Sequence, residues 1–168
     1  MNRIHSECQI RTLVSLEDIA DFSPLFTDDS TVSIHFSTND KLMGAIITPA
    51  AMKCAFSEIE NMKLASEIEI ACHPEGGLCF SCNDTLMTYD GYLDILPTVL
   101  TEFYCKQERS WKYNRSLIIR CVKPLSLARK VFMRINQDGV VCIQHLINDD
   151  EDHPLFIDCF VHPLEYIA

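Results

Sequence analysis

Apolar residues recur along this chain in two rhythms, and the rhythms come in the same order twice. Leu42 to Thr48 reads as a strand, ending where Thr48 can cap a helix and Pro49 can occupy its first turn. Met52, Ala55, Phe56 and Ile59 then recur at helical spacing, which predicts a helix over 49–62 with one apolar face. Three strands follow: Glu67 to Cys72, with Ile68, Ile70 and Cys72 at alternate positions, Leu78 to Cys82 after the Gly76-Gly77 turn, and Leu86 to Leu93. The second half repeats this with a strand from Val99 to Cys105, a short helix around Asn114 to Lys123, and strands at Val131 to Ile135, Val140 to Ile147 and Leu155 to His162. Asp138-Gly139 supplies a hairpin turn. A β-α-β-β-β unit of roughly 60 residues is too small to bury its own sheet, so the duplicated unit predicts an α+β domain: one antiparallel sheet with two helices on one face and an internal pseudo-twofold.

Length and composition narrow the class. A chain of 168 residues suits one globular domain able to bury a single core without staples. Met1 to Thr12 has no apolar signal core, and no stretch approaches the roughly 18 apolar residues of a membrane span. The expectation is a soluble, intracellular protein with no membrane partner. Its nine cysteines are an odd set scattered among apolar neighbours, which predicts reduced thiols serving as small core residues. The glycosylation-like triplets at Asn83 and Asn114 are then read as chance.

Charge adds what the pattern lacks. Nine of the 14 Lys and Arg residues lie between Lys106 and Arg134 with Glu108 as the one acid, inside a chain of formal net charge −10. Such a chain repels most polyanions yet offers one local face that could receive one; a merely solvated face is the plain alternative. Stepping 100° per residue from Ile118 gathers Cys121, Val122 and Leu125 on one side of the second helix, with Ser116, Arg120 and Lys123 opposite. The first helix exposes Lys53 beside Cys54, Ser57, Glu58, Glu60 and Asn61, so only the second helix is basic.

Catalytic chemistry finds little support. Cys72-His73 lies near Cys79-Phe80-Ser81-Cys82, but on a strand Cys79 and Cys82 point to opposite faces and cannot share one tetrahedral ion or form a dithiol pair. No Gly-x-Ser-x-Gly elbow or phosphate-cradling glycine loop occurs, and His145 sits on an apolar strand where a core role outweighs a general base. His35, His73, His153 and His162 have no recognisable partner. No metal, cofactor or catalytic residue is expected.

Several segments carry a family resemblance. The doubled unit, the turn at Gly139, the run from Tyr113-Asn114-Arg115 through Val122-Lys123-Pro124, and the ending Phe156 to Leu164 resemble the DNA sliding clamps. Cys8-Gln9-Ile10-Arg11-Thr12, Phe36-Ser37-Thr38-Asn39 and Ala55-Phe56-Ser57-Glu58 are similar to the Rad-one-like subunits of the checkpoint clamp, the heterotrimeric nine-one-one ring. Such subunits normally hold two clamp domains. The resemblance therefore implies that residues 1–30 are the end of a preceding clamp domain, with 8–13 as its last strand, plus the interdomain connector, and that 31–168 form the C-terminal clamp domain.

The resemblance further implies a non-catalytic subunit that encircles double-stranded DNA without sequence preference and recruits checkpoint and repair proteins. On it, Lys53, Arg115, Arg120 and Lys123 face DNA, and Leu86, Met87, Thr88 and Tyr89 form an edge that pairs with a neighbouring subunit. Leu16, Ile19, Phe22, Leu25 and Phe26 in the connector dock clients. Two other clamp subunits, a clamp loader, repair polymerases or nucleases, and a nuclear location follow from the same likeness. The alternative is a 3'-5' DNA exonuclease, which needs carboxylates converging on two metal ions. The densest acidic run, Asp149-Asp150-Glu151-Asp152, lies between strands and reads as a solvated turn, as do Asp18, Asp21, Asp28 and Asp29.

Overall fold

Each helix is preceded by a strand that leaves its own repeat to join the other. In the computed structural model, which describes residues 8–12, 41–83, 88–93, 99–148 and 155–164, the first repeat runs β2 (Lys41–Ile47), α1 (Pro49–Asn61), β3 (Glu67–His73), β4 (Gly77–Asn83) and β5 (Thr88–Leu93). The second runs β6 (Leu100–Cys105), β7 (Arg109–Asn114), α2 (Arg115–Cys121), a 3-10 turn over Lys123–Ser126, β8 (Lys130–Asn136), β9 (Val141–Asn148) and β10 (Leu155–Val161). A short strand, β1 (Cys8–Thr12), precedes both.

Among the described strands all pairings are antiparallel and form two sheets, ordered β1-β10-β9-β8-β2-β6 and β5-β4-β3-β7. The meander β3-β4-β5 accepts β7, with Ile68 opposite Tyr113 and Ile70 opposite Trp111. The meander β8-β9-β10 accepts β2, with Ala45 opposite Met133. This exchange is the pseudo-twofold in its physical form: neither repeat completes a sheet alone.

The expected single sheet is therefore corrected to two. Antiparallel neighbours rotate by about 20–25° each, so ten strands in one open sheet would curl strongly, and splitting into two sheets relieves this. The second correction is β7. Arg109 to Asn114 alternates only through Trp111 and Tyr113 and is laced with basic residues, so its strand rhythm is weak in sequence. It supplies the strand ahead of α2, which leaves β6 to extend the larger sheet beside β2.

Both helices and both sheets share one core. Met52, Phe56 and Ile59 of α1 and Ile118 and Cys121 of α2 are buried with Ile68 and Ile70 of β3, Met133 and Ile135 of β8, and Ile143 of β9. Each such side chain contributes on the order of 1.5–3 kcal/mol through burial. Phe56 meets Phe80 edge to face at 4.8 Å between ring centres. At the start of α1 the Thr48 hydroxyl accepts the Ala51 amide at 3.3 Å and Pro49 occupies the first turn, as the sequence leads one to expect.

The β8–β9 hairpin is pinned to β7. The Tyr113 hydroxyl donates to the Gly139 carbonyl at 2.6 Å, and burial holds that phenol protonated well above its ordinary range. Gly139 has φ 80°, and a methyl group added there would overlap the Trp111 indole. Asn136 closes the turn from within, its side-chain oxygen accepting the Asp138 and Val140 amides at 3.1 and 2.8 Å. Gly139→Ala combines an unfavourable backbone conformation with that overlap, and should cost about 2–3 kcal/mol in urea unfolding. A loss under about 0.5 kcal/mol would show that the turn and the indole do not constrain each other.

His145 lies fully buried on β9, opposite Val131 and Ile157, the core position expected from its apolar strand. Among the described residues neither ring nitrogen meets a hydrogen-bond partner, and burial lowers its pKa to about 4, offset only in part by the nearby Ile157 main chain. Above about pH 6.5 the ring is neutral in folded and unfolded chains alike, and its ionisation does not affect stability. As the pH falls from 6.5 towards 4, the unfolded chain takes up the proton and the folded one does not, so this group removes about 3 kcal/mol of stability across that window. Urea midpoints of the parent and His145→Leu should diverge in the variant's favour as the pH drops, relative to their difference at pH 7. Parallel pH profiles would show that the ring ionises without cost in the folded state.

Candidate nucleic-acid interface

The helix layer is the surface on which the predicted DNA-facing cations can be placed. α1 buries Met52, Ala55, Phe56 and Ile59, which leaves Lys53, Ser57 and Asn61 on one exposed line, with Cys54, Glu58 and Glu60 alongside. α2 begins where the Asn114 side chain accepts the Leu117 amide at 3.3 Å, and it buries Ile118 and Cys121. Pro124 and Leu125 continue that buried side through the 3-10 turn. Arg120 and Lys123 are exposed on the opposite side, as the helical spacing predicts.

Arg115 is a correction. It is 8% exposed, and its guanidinium turns away from solvent towards the end of α1. Nε and Nη2 donate to the Ile59 carbonyl at 2.9 and 2.6 Å, and Nη2 also donates to the Glu60 carbonyl at 2.9 Å. The physical reason is that the last carbonyls of a helix have no partner within it, and a cation suits the negative end of the helix dipole. The Arg115 amide donates to Ser66 at 3.0 Å, so this residue joins α1, the start of β3 and α2. Its spacing carried the signal: three residues before Ile118 lies on the apolar side of α2, not the free side.

The other cations of the basic stretch scatter. Lys112 of β7 lies 3.7 Å from Glu67 of β3, and Arg109 pairs with the Gln107 side-chain oxygen at 2.9 and 3.2 Å. Arg134 points to the face of β8 opposite the core and donates to Gln144, which donates in turn to Asp158 of β10 at 2.7 Å. Thus the stretch from Lys106 to Arg134 is one segment in sequence but several surfaces in space. The helix side keeps Lys53, Arg120 and Lys123. Lys63, exposed in the turn after α1, is a cation that the sequence analysis missed, because it lies outside both helical patterns.

The expected pairing edge is partly inside the described residues. Leu86 and Met87 lie outside them, as do the connector positions Leu16, Ile19, Phe22, Leu25 and Phe26. β5 is the outer strand of its sheet, hydrogen-bonded to β4 alone among the described strands, and Thr88 is exposed on it. Tyr89 carries a contact beyond the expectation: its hydroxyl donates to the Ala55 carbonyl of α1 at 3.2 Å, so the ring ties the edge strand to the helix layer. Its main chain stays on the edge.

No catalytic constellation emerges from the groups described. Cys79 lies 3.6 Å from the Ser81 hydroxyl, whereas Cys82 donates to the Glu67 carbonyl at 3.3 Å, so the two thiols point in the different directions expected of strand neighbours. Among the described residues no group of three His, Cys, Asp or Glu side chains could hold a metal ion. The acidic run Asp149 to Asp152, and Asp18, Asp21, Asp28 and Asp29, lie outside the described residues. Among the described residues no helix is long and apolar enough to cross a membrane.

Residues 2–147 match the family described as repair protein Rad1/Rec1/Rad17. The chain belongs to this family. It is 31% identical over 134 residues to the DNA damage checkpoint control protein rad1 of Schizosaccharomyces pombe, covering 77% of this chain and 42% of that protein. Solved structures give the fold. PCNA from Thermococcus kodakaraensis superposes with a TM-score of 0.61 at 17% identity, over 81% of this chain and 53% of its own. The PCNA2–PCNA3 complex from Sulfolobus tokodaii gives 0.66 at 12% identity, over 82% and 53%. The fold of this Rad1-family chain is thus that of the sliding clamps, and the chain spans about half the length of the clamp chains it matches.

Arg115 is expected to act through the fold of this Rad1-family chain. Arg115→Met leaves the Ile59 carbonyl with the Met62 amide alone and takes from the Glu60 carbonyl its guanidinium donor, and should lower urea-unfolding stability by about 2–4 kcal/mol. Arg120→Met, on the exposed side, should change it by less than about 0.5 kcal/mol. Equal effects of the two substitutions would remove Arg115 from the role given it here.

Proposed function

We propose that this chain acts as a non-catalytic part of a DNA-damage checkpoint clamp that surrounds duplex DNA and recruits checkpoint and repair proteins. The observation that carries the reading is the exposure of Arg120 and Lys123, with Lys53, on the helix side of a clamp fold whose family is that of Rad1. A sliding clamp makes and breaks no bonds. It needs a face that tolerates phosphate at close range, and a ring that keeps DNA from leaving.

The electrostatics suit weak, non-specific contact. Each phosphate neutralised by Lys or Arg contributes a slope of about −0.9 to log affinity against log salt, so three contacts give about −3. Glu58 and Glu60 on α1 weaken that helix as a phosphate surface, so contact with DNA falls mainly on Arg120 and Lys123. Binding is then weak enough to permit sliding and is lost by moderate salt. The outer side of β5, which pairs with no other described strand, supports ring closure by strand addition from a neighbouring subunit.

In this reading residues 1–30 end a preceding clamp domain and form the connector, 31–168 form the C-terminal domain, and Leu16 to Phe26 in the connector receive clients. The companions are two further clamp subunits, a clamp loader, and repair polymerases or nucleases, in the nucleus.

The decisive test is topological. Co-expressed with the two other checkpoint clamp subunits and loaded on nicked circular DNA, the complex should stay on the circle and run off after linearisation. Arg120→Glu with Lys123→Glu should flatten the salt dependence of residual binding while leaving topological retention largely in place. Retention equal on circular and linear DNA would sink the ring reading, and unaltered salt dependence in the double variant would remove the basic helix from it.

A further inference from the structure

Where the larger sheet hands the chain to the smaller one, two thiols from different sheets meet at one carbonyl. Cys105 ends β6, opposite Met43 of β2, and donates to the Gln107 carbonyl at 3.0 Å. Cys72 of β3, opposite Arg109 of β7, lies 3.8 Å from that same carbonyl oxygen and 3.6 Å from the Arg109 carbonyl oxygen. Both thiols are free, and both are held against that one oxygen, which places the two sulfurs side by side. Residues 106–108 form the corner that carries the chain from β6 to β7, so a bond here would join the sheets at their crossing point.

The two sulfurs are unequal in a way that orders a reaction. Cys72 is fully buried, and burial together with the neighbouring Cys105 pushes its thiol up to about 12. Cys105 is half-buried at the end of an outer strand, and an oxidant reaches it first. We propose that Cys72 and Cys105 are a redox modification site, forming a reversible intramolecular disulfide when the protein meets hydrogen peroxide.

In the first step the Cys105 thiolate attacks the peroxide oxygen. The O–O bond breaks, Cys105 becomes a sulfenic acid, and the displaced hydroxide leaves as water with a proton from solvent. In the second, the Cys72 sulfur attacks the Cys105 sulfur and the S–O bond breaks. The Cys72 proton leaves with the hydroxyl group as a second water. Two thiols and one peroxide thus give one disulfide and two waters, and a dithiol reductant reverses the change by exchange. Burial makes Cys72 the slower nucleophile, so it acts second, its proton passing to the leaving hydroxyl.

The test uses the full chain with the exposed Cys54 changed to Ser, to suppress links between molecules. After a hydrogen peroxide pulse, free thiols are alkylated and peptides mapped by mass. A Cys72–Cys105 linked pair, lighter by two hydrogens and restored to two thiols by dithiothreitol, is the expected product. Oxidation should raise the thermal midpoint by several degrees, since the link closes the long loop from Cys72 to Cys105. Cys105→Ser should fold with an unchanged midpoint and lose both the linked peptide and the oxidative rise. Peroxide that carries Cys105 to sulfinic acid while Cys72 stays alkylatable would overturn the assignment, as would a rise in midpoint that survives in Cys105→Ser.

Discussion

The end of α1 is where this fold is decided. Its last carbonyls, at Ile59 and Glu60, lie where the chain turns back into β3, and the Arg115 guanidinium closes over them. The register of β3 with β7 makes this unavoidable. Glu67 sits opposite Asn114, so the residue after Asn114 emerges beside the start of β3 and within reach of the helix that precedes it. A neutral side chain at that point would leave the Glu60 carbonyl without its guanidinium donor and the Ile59 carbonyl with the Met62 amide alone, and a lysine would bring one ammonium where a planar fork now spans two carbonyls. The relative placement of the two helices therefore follows from strand exchange between the repeats, with one guanidinium fixing it.

That exchange also sets the electrostatics. A strand sends alternate residues to opposite faces, and a short helix sends every third or fourth to the same side. The basic segment passes through a strand, a helix, a turn and another strand, and the fold divides it accordingly. Arg134 goes to the face of the larger sheet opposite the core, Lys112 to an ion pair across the smaller one, Arg115 to the interior, and Arg120 and Lys123 to the helix side. A run of cations in sequence is a statement about composition. Which of them share a surface depends on the element that carries each.

Much of this was legible in the residues, and the failures have physical causes. The rhythm of Ile68, Ile70 and Cys72, the Thr48-Pro49 helix start and the Asp138-Gly139 turn each rest on local chemistry that needs no knowledge of partners. The number of sheets does not, because alternation says which face of a strand is buried and not which strand lies beside it. β7 was obscured by its own function as a joint: Trp111 packs against Gly139 and Tyr113 reaches its carbonyl, so the strand spends its two aromatic positions on the β8–β9 turn and keeps polar residues between them. The clamp resemblance puts Arg115 among the DNA-facing cations, whereas it is buried against the end of α1. Its position on the apolar side of α2 argued otherwise, and helical spacing was the better guide. At Tyr89 strand alternation placed the residue on an edge strand without showing that its ring reaches α1.

The two edges of the smaller sheet are treated differently, and the difference bears on how a clamp would hold. On β7 the Lys112 carbonyl accepts the Leu164 amide at 2.7 Å, so the end of the described chain lies along that edge. β5, on the other side, pairs with β4 alone among the described strands and displays Thr88 and Asp90. An antiparallel strand laid along β5 gains a row of main-chain hydrogen bonds and hides an edge that invites aggregation when left open. The helix side offers few exposed cations, diluted by Glu58 and Glu60, and each is worth little against competing salt. Residence on DNA would therefore depend on whether the edges close. In the proposed clamp the basic side chains would keep an enclosed duplex from being repelled by a chain of net charge −10.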